Sequence, residues 1–275
     1  MAFLIVFIIS VLLALLDMSF LYPLPFSDTG SVRYRSMPYM TILLILVNSL
    51  VFIIWQAPPY YQAKTIYQLQ PYVNQLYLYG YRTVLMQQGQ SIGAFVAFTS
   101  MFMHADFFHL FGNMIYLWTF GRRVEDACGH WRFLLYYLGA GMIASMGSSL
   151  LNPSHSDLPG IGASGAIAGV MGAYLVLFPS ARVDCLWIIG SIVRIPYAAI
   201  TGKQIWKWTI KIPSFILLIY FAVKEFLPSL ATLQHGDEIG GVNHLAHVAG
   251  FLGAILIFFY VRKDLLTRYF SGRSL

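Results

Sequence analysis

Residues 159–169 read PGIGASGAIAG, and seven of these eleven are Gly or Ala. The flanking segments are dense in Leu, Ile, Phe and Tyr. Pro159, Gly160 and Gly162 make a turn, and a helix starts near Ser164. Gly165, Gly169 and Gly172 keep one face of that helix small for two more turns. Small residues in a membrane helix let another backbone approach closely. A Ser at a helix start is ordinarily an N-cap, so this hydroxyl alone does not identify a nucleophile. The stretch does require a second helix that comes very near.

A second smooth stripe lies in GGVNHLAHVAGFLGA (240–254), where His247, Gly250 and Ala254 share one helical face. If the two stripes pack together, Ser164 and His247 come within hydrogen-bond reach, about 2.6–3.2 Å. His244 shares much of that face and sits about 4.5 Å nearer the surface by helical rise. Periodicity does not choose between the two histidines. A third polar group stands in HADFFHLFGNMIYLW (104–118), where His109 and Asn113 are four apart and share a face. By spacing alone these serve equally well as interfacial residues bonding neighbouring helices. His104 and Asp106, one turn earlier, are expected to be solvated, as are His130, His155 and His235 in the connections.

Composition fixes the medium. Of 275 residues, 58% are hydrophobic and 10% charged, against roughly 25% charged in soluble domains. Mean hydropathy is +0.68. This is a polytopic membrane protein. Six apolar stretches are long enough to span: 40–57, 104–121, 131–151, 163–179, 211–231 and 241–262. A shorter one, 2–16, stands as a seventh span or an uncleaved anchor. With residues 17–39 in the cytoplasm, all Lys and Arg except Lys64, Arg82 and Lys224 fall on the cytoplasmic side. The net charge of +6 therefore reflects topology, and no nucleic-acid partner is expected. Cys128 and Cys185 have no disulfide or metal-ligand spacing, and no ATP, flavin or metal motif implies a cofactor. The external loop 58–103 is rich in Tyr and Gln, with aromatics suited to the membrane interface.

Together the three polar groups resemble the rhomboid intramembrane serine proteases. FTSMFMHADFFHLFGNMIYLWTFGRRVEDACGHWRF resembles the family's His-x-x-x-Asn segment and the Gly-x-x-x-Glu turn that follows it, here Gly121 to Glu125. GASGAIAGVMGAYL resembles the Gly-x-Ser-Gly nucleophile motif, and AHVAGFLGA the Ala-His-x-x-Gly motif. The resemblance implies an all-α membrane fold, a six-transmembrane-helix rhomboid-like bundle; the hydrophobic segment 2–16, a possible extra N-terminal helix, lies outside that common core. Residues 1–30 would be an N-terminal segment and polar linker, and 31–275 the catalytic membrane domain. It implies Ser164 as nucleophile, His247 as general base, and His109 and Asn113 as oxyanion-stabilising side chains. Gly162, Gly165, Gly169, Gly250 and Ala254 would be the close-packing set. Family members use the Ser-His pair without an acid, and Asp237 and Glu238, ahead of the last span, are expected to be solvated. The implied partners are single-pass transmembrane substrates and the bilayer, in the cell (inner) membrane with the site open to the external side. Two departures stand out. The family's Trp-Arg pair in the first external loop is replaced by GAFVAF, with Tyr81-Arg82 the nearest match upstream. The place seven residues after the histidine, Gly in the family, is Ala254.

Overall fold

The computed structural model describes residues 23–28, 36–90, 92–152, 157–187, 192, 199–202, 209–235, 243–261 and 267. The 2–16 segment, His155, Asp237, Glu238 and the side chain of His235 lie outside the described residues. So do the basic residues at 33, 35, 194, 203, 207 and beyond 261.

Helices dominate. Strand β1 (Leu24–Asp28) is followed by α1 (Tyr39–Tyr61), α2 (Gln70–Tyr79), α3 (Thr83–Gln87), α4 (Ile92–Thr99), α5 (Phe107–Cys128) and α6 (His130–Leu151). Then come α7 (Ser164–Leu177), β2 (Arg182–Leu186), β3 (Thr209–Pro213), α8 (Ser214–His235) and α9 (His244–Val261). By length and apolarity α1, α6 and residues 214–233 of α8 can each cross a bilayer. The stretch 92–102 and α5 meet at 86° and together form a broken span or a re-entrant turn. The 58–103 loop is largely helical, through α2, α3 and α4.

Helix α7 is the centre. Ten of its fourteen residues are buried, as expected for a helix apolar all round. It packs on α6 and α9, which also pack on each other. The helices around α7 turn apolar side chains outward: Leu46 and Ile54 on α1, Leu135 on α6, Ile219 and Leu227 on α8, Leu256 on α9. The small stripe explains how tightly the three inner helices sit. A Cβ added to Gly165 would lie 2.6 Å from Ala144 Cβ, and one on Gly169 would lie 2.6 Å from Ala140 Cβ and 2.8 Å from Ala254 Cβ. A Cβ on Gly250 would collide with the Gly165 carbonyl oxygen. The helical Gly positions of the close-packing set and Ala254 thus sit at the α6–α7–α9 contact.

The all-α expectation is corrected at the end of the molecule away from Ser164. There β1, β2 and β3 form an antiparallel three-stranded sheet in that order, with Leu24 opposite Leu186 and Val183 opposite Ile212. Residues 24–28, expected within a polar linker, are therefore part of the body. Arg123 Nε donates to Asp28 Oδ2 at 2.7 Å with both side chains buried, and Thr119 Oγ1 donates to the Pro25 carbonyl at 3.2 Å. The strands are five residues each, and the partner of β1 lies more than 150 residues away. Period-2 patterning that short carries little signal, and the polar groups that fix β1 belong to α5. Span five begins at Ser214, because 209–213 is strand.

Glu125 is buried and caps α1 from a distance. Its carboxylate accepts the backbone N–H groups of Met40 and Thr41 at 2.9 and 2.8 Å and the Thr41 hydroxyl at 2.7 Å. An anion at a helix N-terminus replaces the side-chain cap that Pro38 cannot supply. His130 Nδ1 is 2.5 Å from the same carboxylate. His130 is thus half-buried and bonded, contrary to the solvated expectation.

Candidate active site

The turn before α7 sets the geometry. Gly162 has φ +125°, a conformation that favours Gly. A Cβ there would strike the His109 ring at 2.8 Å, so the missing side chain also makes room for that imidazole. The turn is held from loop one: Gly162 N–H donates to the Ser100 carbonyl, and Tyr81 and Gly160 exchange backbone bonds of 2.8 and 2.7 Å. The Tyr81 hydroxyl donates to the Ser145 carbonyl on α6, and Arg82 pairs with Asp157 at 2.9 Å. Tyr81-Arg82 thereby ties this loop to the turn beside Ser164.

The N-cap position of α7 is Ala163, with no capping side chain. Ser164 is the first helical residue, and its hydroxyl is turned to another use. Ser164 Oγ is 2.7 Å from His247 Nε2. His247 comes from the first turn of α9, where Asn243 Oδ1 accepts the Ala246 N–H at 2.9 Å and the Ser148 hydroxyl from α6 at 2.9 Å. That is an Asn N-cap pinned to the neighbouring helix. Helix α7 has fourteen residues, about 21 Å of rise against a hydrocarbon core of about 30 Å. Its N-terminus opens on a cavity of about 720 Å³ lined by His109, Asn113, Ser164, Glu225, His244 and His247.

On the opposite wall, Asp106 is the N-cap of α5 and accepts the His109 N–H at 2.8 Å, so it is a structural cap. His109 Nδ1 accepts the Ala105 N–H at 3.3 Å, which leaves the ring proton on Nε2, beside Gly162. Asn113 is 8% exposed, and its Nδ2 finds no hydrogen-bond acceptor among the described residues. A buried, unused amide donor is uncommon in a folded protein and calls for an explanation. The first N–H groups of α7 are free by helix geometry. His104 is fully buried against His109, with ring centroids 5.1 Å apart, which corrects its assignment to solvent.

One residue was not anticipated. Glu225, midway along α8, has a side chain 5% exposed. Its Oε2 lies 2.7 Å from His247 Nδ1 and 2.6 Å from His244 Nδ1. The expectation that no acid stands near the pair is therefore corrected. The acid comes from the fifth span rather than from the loop ahead of the sixth. Its sequence signal was an acid inside an apolar segment, where charge is expensive and marks function. Among the described residues these three side chains alone bring three His, Cys, Asp or Glu ligand atoms within 4.8 Å of one another. The distances are those of hydrogen bonds between two imidazoles and one carboxylate. Cys128 and Cys185 are buried and in no disulfide.

The profile of the Rhomboid domain matches residues 93–264. The chain belongs to the rhomboid family. It is similar to Rhomboid protein 1, mitochondrial, of Saccharomyces cerevisiae, 31% identical over 226 residues that make up 80% of this chain and 52% of that protein. It is similar to Rhomboid protease GluP of Bacillus subtilis, 41% identical over 155 residues, 56% of this chain and 24% of the other. Putative rhomboid protease YdcA of the same bacterium is 28% identical over 173 residues, 62% of this chain and 69% of the other. The chain spans about half the length of the yeast protein. This rhomboid is an integral membrane protein of helical fold.

Proposed function

We propose that this rhomboid is an intramembrane serine endopeptidase that cuts single-pass transmembrane proteins near the external end of their spanning helix. The observation that carries the reading is the 2.7 Å Ser164–His247 contact facing the unpaired Asn113 amide. Ser164 Oγ attacks the scissile carbonyl carbon while its proton passes to His247 Nε2. The carbonyl oxygen becomes an oxyanion, met by Asn113 Nδ2, His109 Nε2 and the first N–H groups of α7. His247 then gives the proton to the leaving amine as the C–N bond breaks. A water entering by the cavity repeats the sequence on the acyl-enzyme and returns Ser164. A substrate must offer an extended segment, because helical carbonyls are already bonded.

The six spans of this proposal are α1, α5, α6, α7, α8 and α9, residues 31–275 being the catalytic domain. The active site opens externally, as the placement of Lys and Arg implies, in the cell (inner) membrane. The test is cleavage of a single-pass reporter in proteoliposomes. Wild type should cut it, and Ser164→Ala and His247→Ala should not, while inserting and melting like wild type. A Ser164→Ala protein that still cuts would refute the proposal, and a folded wild type that never cuts a panel of such reporters would favour a helix-binding role.

A further inference from the structure

The Ser-His pair is not isolated in this chain. Glu225 sits in the interior of α8, eleven residues from its start, where a bare carboxylate costs several kcal/mol on insertion scales. Its Oε2 faces two ring nitrogens at 2.6 and 2.7 Å. Lys224, its sequence neighbour, has Nζ 3.9 Å from Oε1 and a half-exposed side chain, so it does not replace the rings. A carboxylate oxygen only accepts, so both Nδ1 atoms carry the proton. For His247 that choice has a chemical consequence. With Nδ1–H bonded to Glu225, Nε2 holds the lone pair, and it is Nε2 that lies 2.7 Å from Ser164 Oγ. The opposite tautomer would aim an N–H at the hydroxyl and could take no proton from it.

We propose that Glu225 is a positioning residue of the reaction, acting through His247, so that this rhomboid works with a Ser-His-Glu relay and not with a pair. The inference rests on the reading of His247 as the general base. Glu225 holds the Nδ1–H tautomer and the ring orientation. When the Ser164 proton reaches Nε2, the carboxylate stabilises the imidazolium and remains ionised; no proton moves to Glu225. His244 is the second donor on the same oxygen and keeps the carboxylate from turning away from His247. The two-histidine clamp on one acid accounts for a feature that sequence periodicity left open, a pair of histidines three apart on one face with only one of them at the serine.

The experiment is turnover of a single-pass reporter in proteoliposomes by Glu225→Gln, Glu225→Asp and His244→Gln, with kcat and KM separated and melting followed. Gln keeps the volume but offers its amide as a donor as well, which permits the wrong tautomer. We expect kcat of Glu225→Gln to fall by about 10²–10⁴-fold with KM within about threefold, by analogy with loss of the triad acid. Glu225→Asp should regain at least a tenth of wild-type kcat if the shorter acid still reaches Nδ1. His244→Gln should lose less than Glu225→Gln. Wild-type kcat in a folded Glu225→Gln protein would overturn the proposal. So would equal losses in the Gln and Asp variants that follow their melting temperatures, since that is the behaviour of a merely structural group. Should Glu225→Gln not fold, ¹⁵N-histidine NMR of Ser164→Ala decides. A His247 ring protonated at Nδ1 supports the proposal, and one protonated at Nε2 overturns it. An active Ser164→Ala enzyme would instead sink the underlying reading, a result distinct from an unaffected Glu225→Gln.

Discussion

Gly169→Ala tests the packing that brings the site together, five residues below Ser164 on α7. The added methyl would stand 2.6 Å from Ala140 Cβ on α6 and 2.8 Å from Ala254 Cβ on α9. Methyl carbons rest about 3.5–4.0 Å apart. Both neighbours are Ala, with no rotamer to change, so the backbones themselves must separate by about 1 Å. Overpacking of this kind destabilises by about 1–3 kcal/mol, and the better helix propensity of Ala offsets about 1 kcal/mol of it. The net change in stability is small. The change in geometry is not: α9 carries His247, and a 1 Å shift takes its 2.7 Å contact with Ser164 past the useful limit of a hydrogen bond. Misplacement on that scale lowers rate by about 10²-fold. Gly139, on the same α6, has nothing within 4 Å of an added Cβ and is the control. Reporter cleavage in proteoliposomes should fall about 10²-fold for Gly169→Ala and hold for Gly139→Ala. Undiminished cleavage by a folded Gly169→Ala protein would show that the close helix approach does not set the catalytic distance.

Three further outcomes follow. Asn113→Ala should lower kcat by about 10²–10³-fold with little change in KM, since the proposed role of its amide is to meet charge that exists only in the transition state; steady-state kinetics showing a KM effect alone would assign it to substrate binding. Asp28→Ala removes the carboxylate to which buried Arg123 Nε donates and should cost about 3–5 kcal/mol in a denaturation experiment, whereas Asp28→Leu with Arg123→Met should recover most of it. Additive losses in that pair would mean that the two are not coupled. Burial, with Asp184 beside it, pushes the Cys185 thiol up to about 12. Maleimide at pH 8 should therefore leave Cys185 unlabelled until denaturant is added, as mass spectrometry would read; rapid native labelling would show that β2 opens.

Much of the site was legible because its residues obey local periodicities. Ser164, Gly165 and Gly169, or His247, Gly250 and Ala254, declare a helix face by spacing alone, and His109 and Asn113 do so at i and i+4. Periodicity leaves His244 and His247 open, because one helical turn separates two candidates that share a face; the Ala-His-x-x-Gly motif points to His247, the ring that lies 2.7 Å from Ser164 Oγ. Glu225 escapes a reading that looks for an acid in the sequence ahead of the sixth span, because it reaches His247 across a helix–helix gap from the fifth. The sheet was missed for a related reason. Five-residue strands such as RVDCL and TIKIP alternate too briefly to stand out, and what fixes β1 is Asp28 meeting Arg123 from a distant helix. His104 and His130 were assigned to solvent from their place at span ends, where folding instead covers His104 and gives His130 the Glu125 carboxylate.

The most direct measurement is intact-mass and peptide mapping after treatment with a fluorophosphonate, which reports an activated serine without any assumption about substrate. Wild type should gain a single adduct, on the peptide carrying Ser164, and His247→Ala should gain none over the same time. An adduct elsewhere, or equal labelling of Ser164 when His247 is gone, would contradict activation of that hydroxyl by that imidazole.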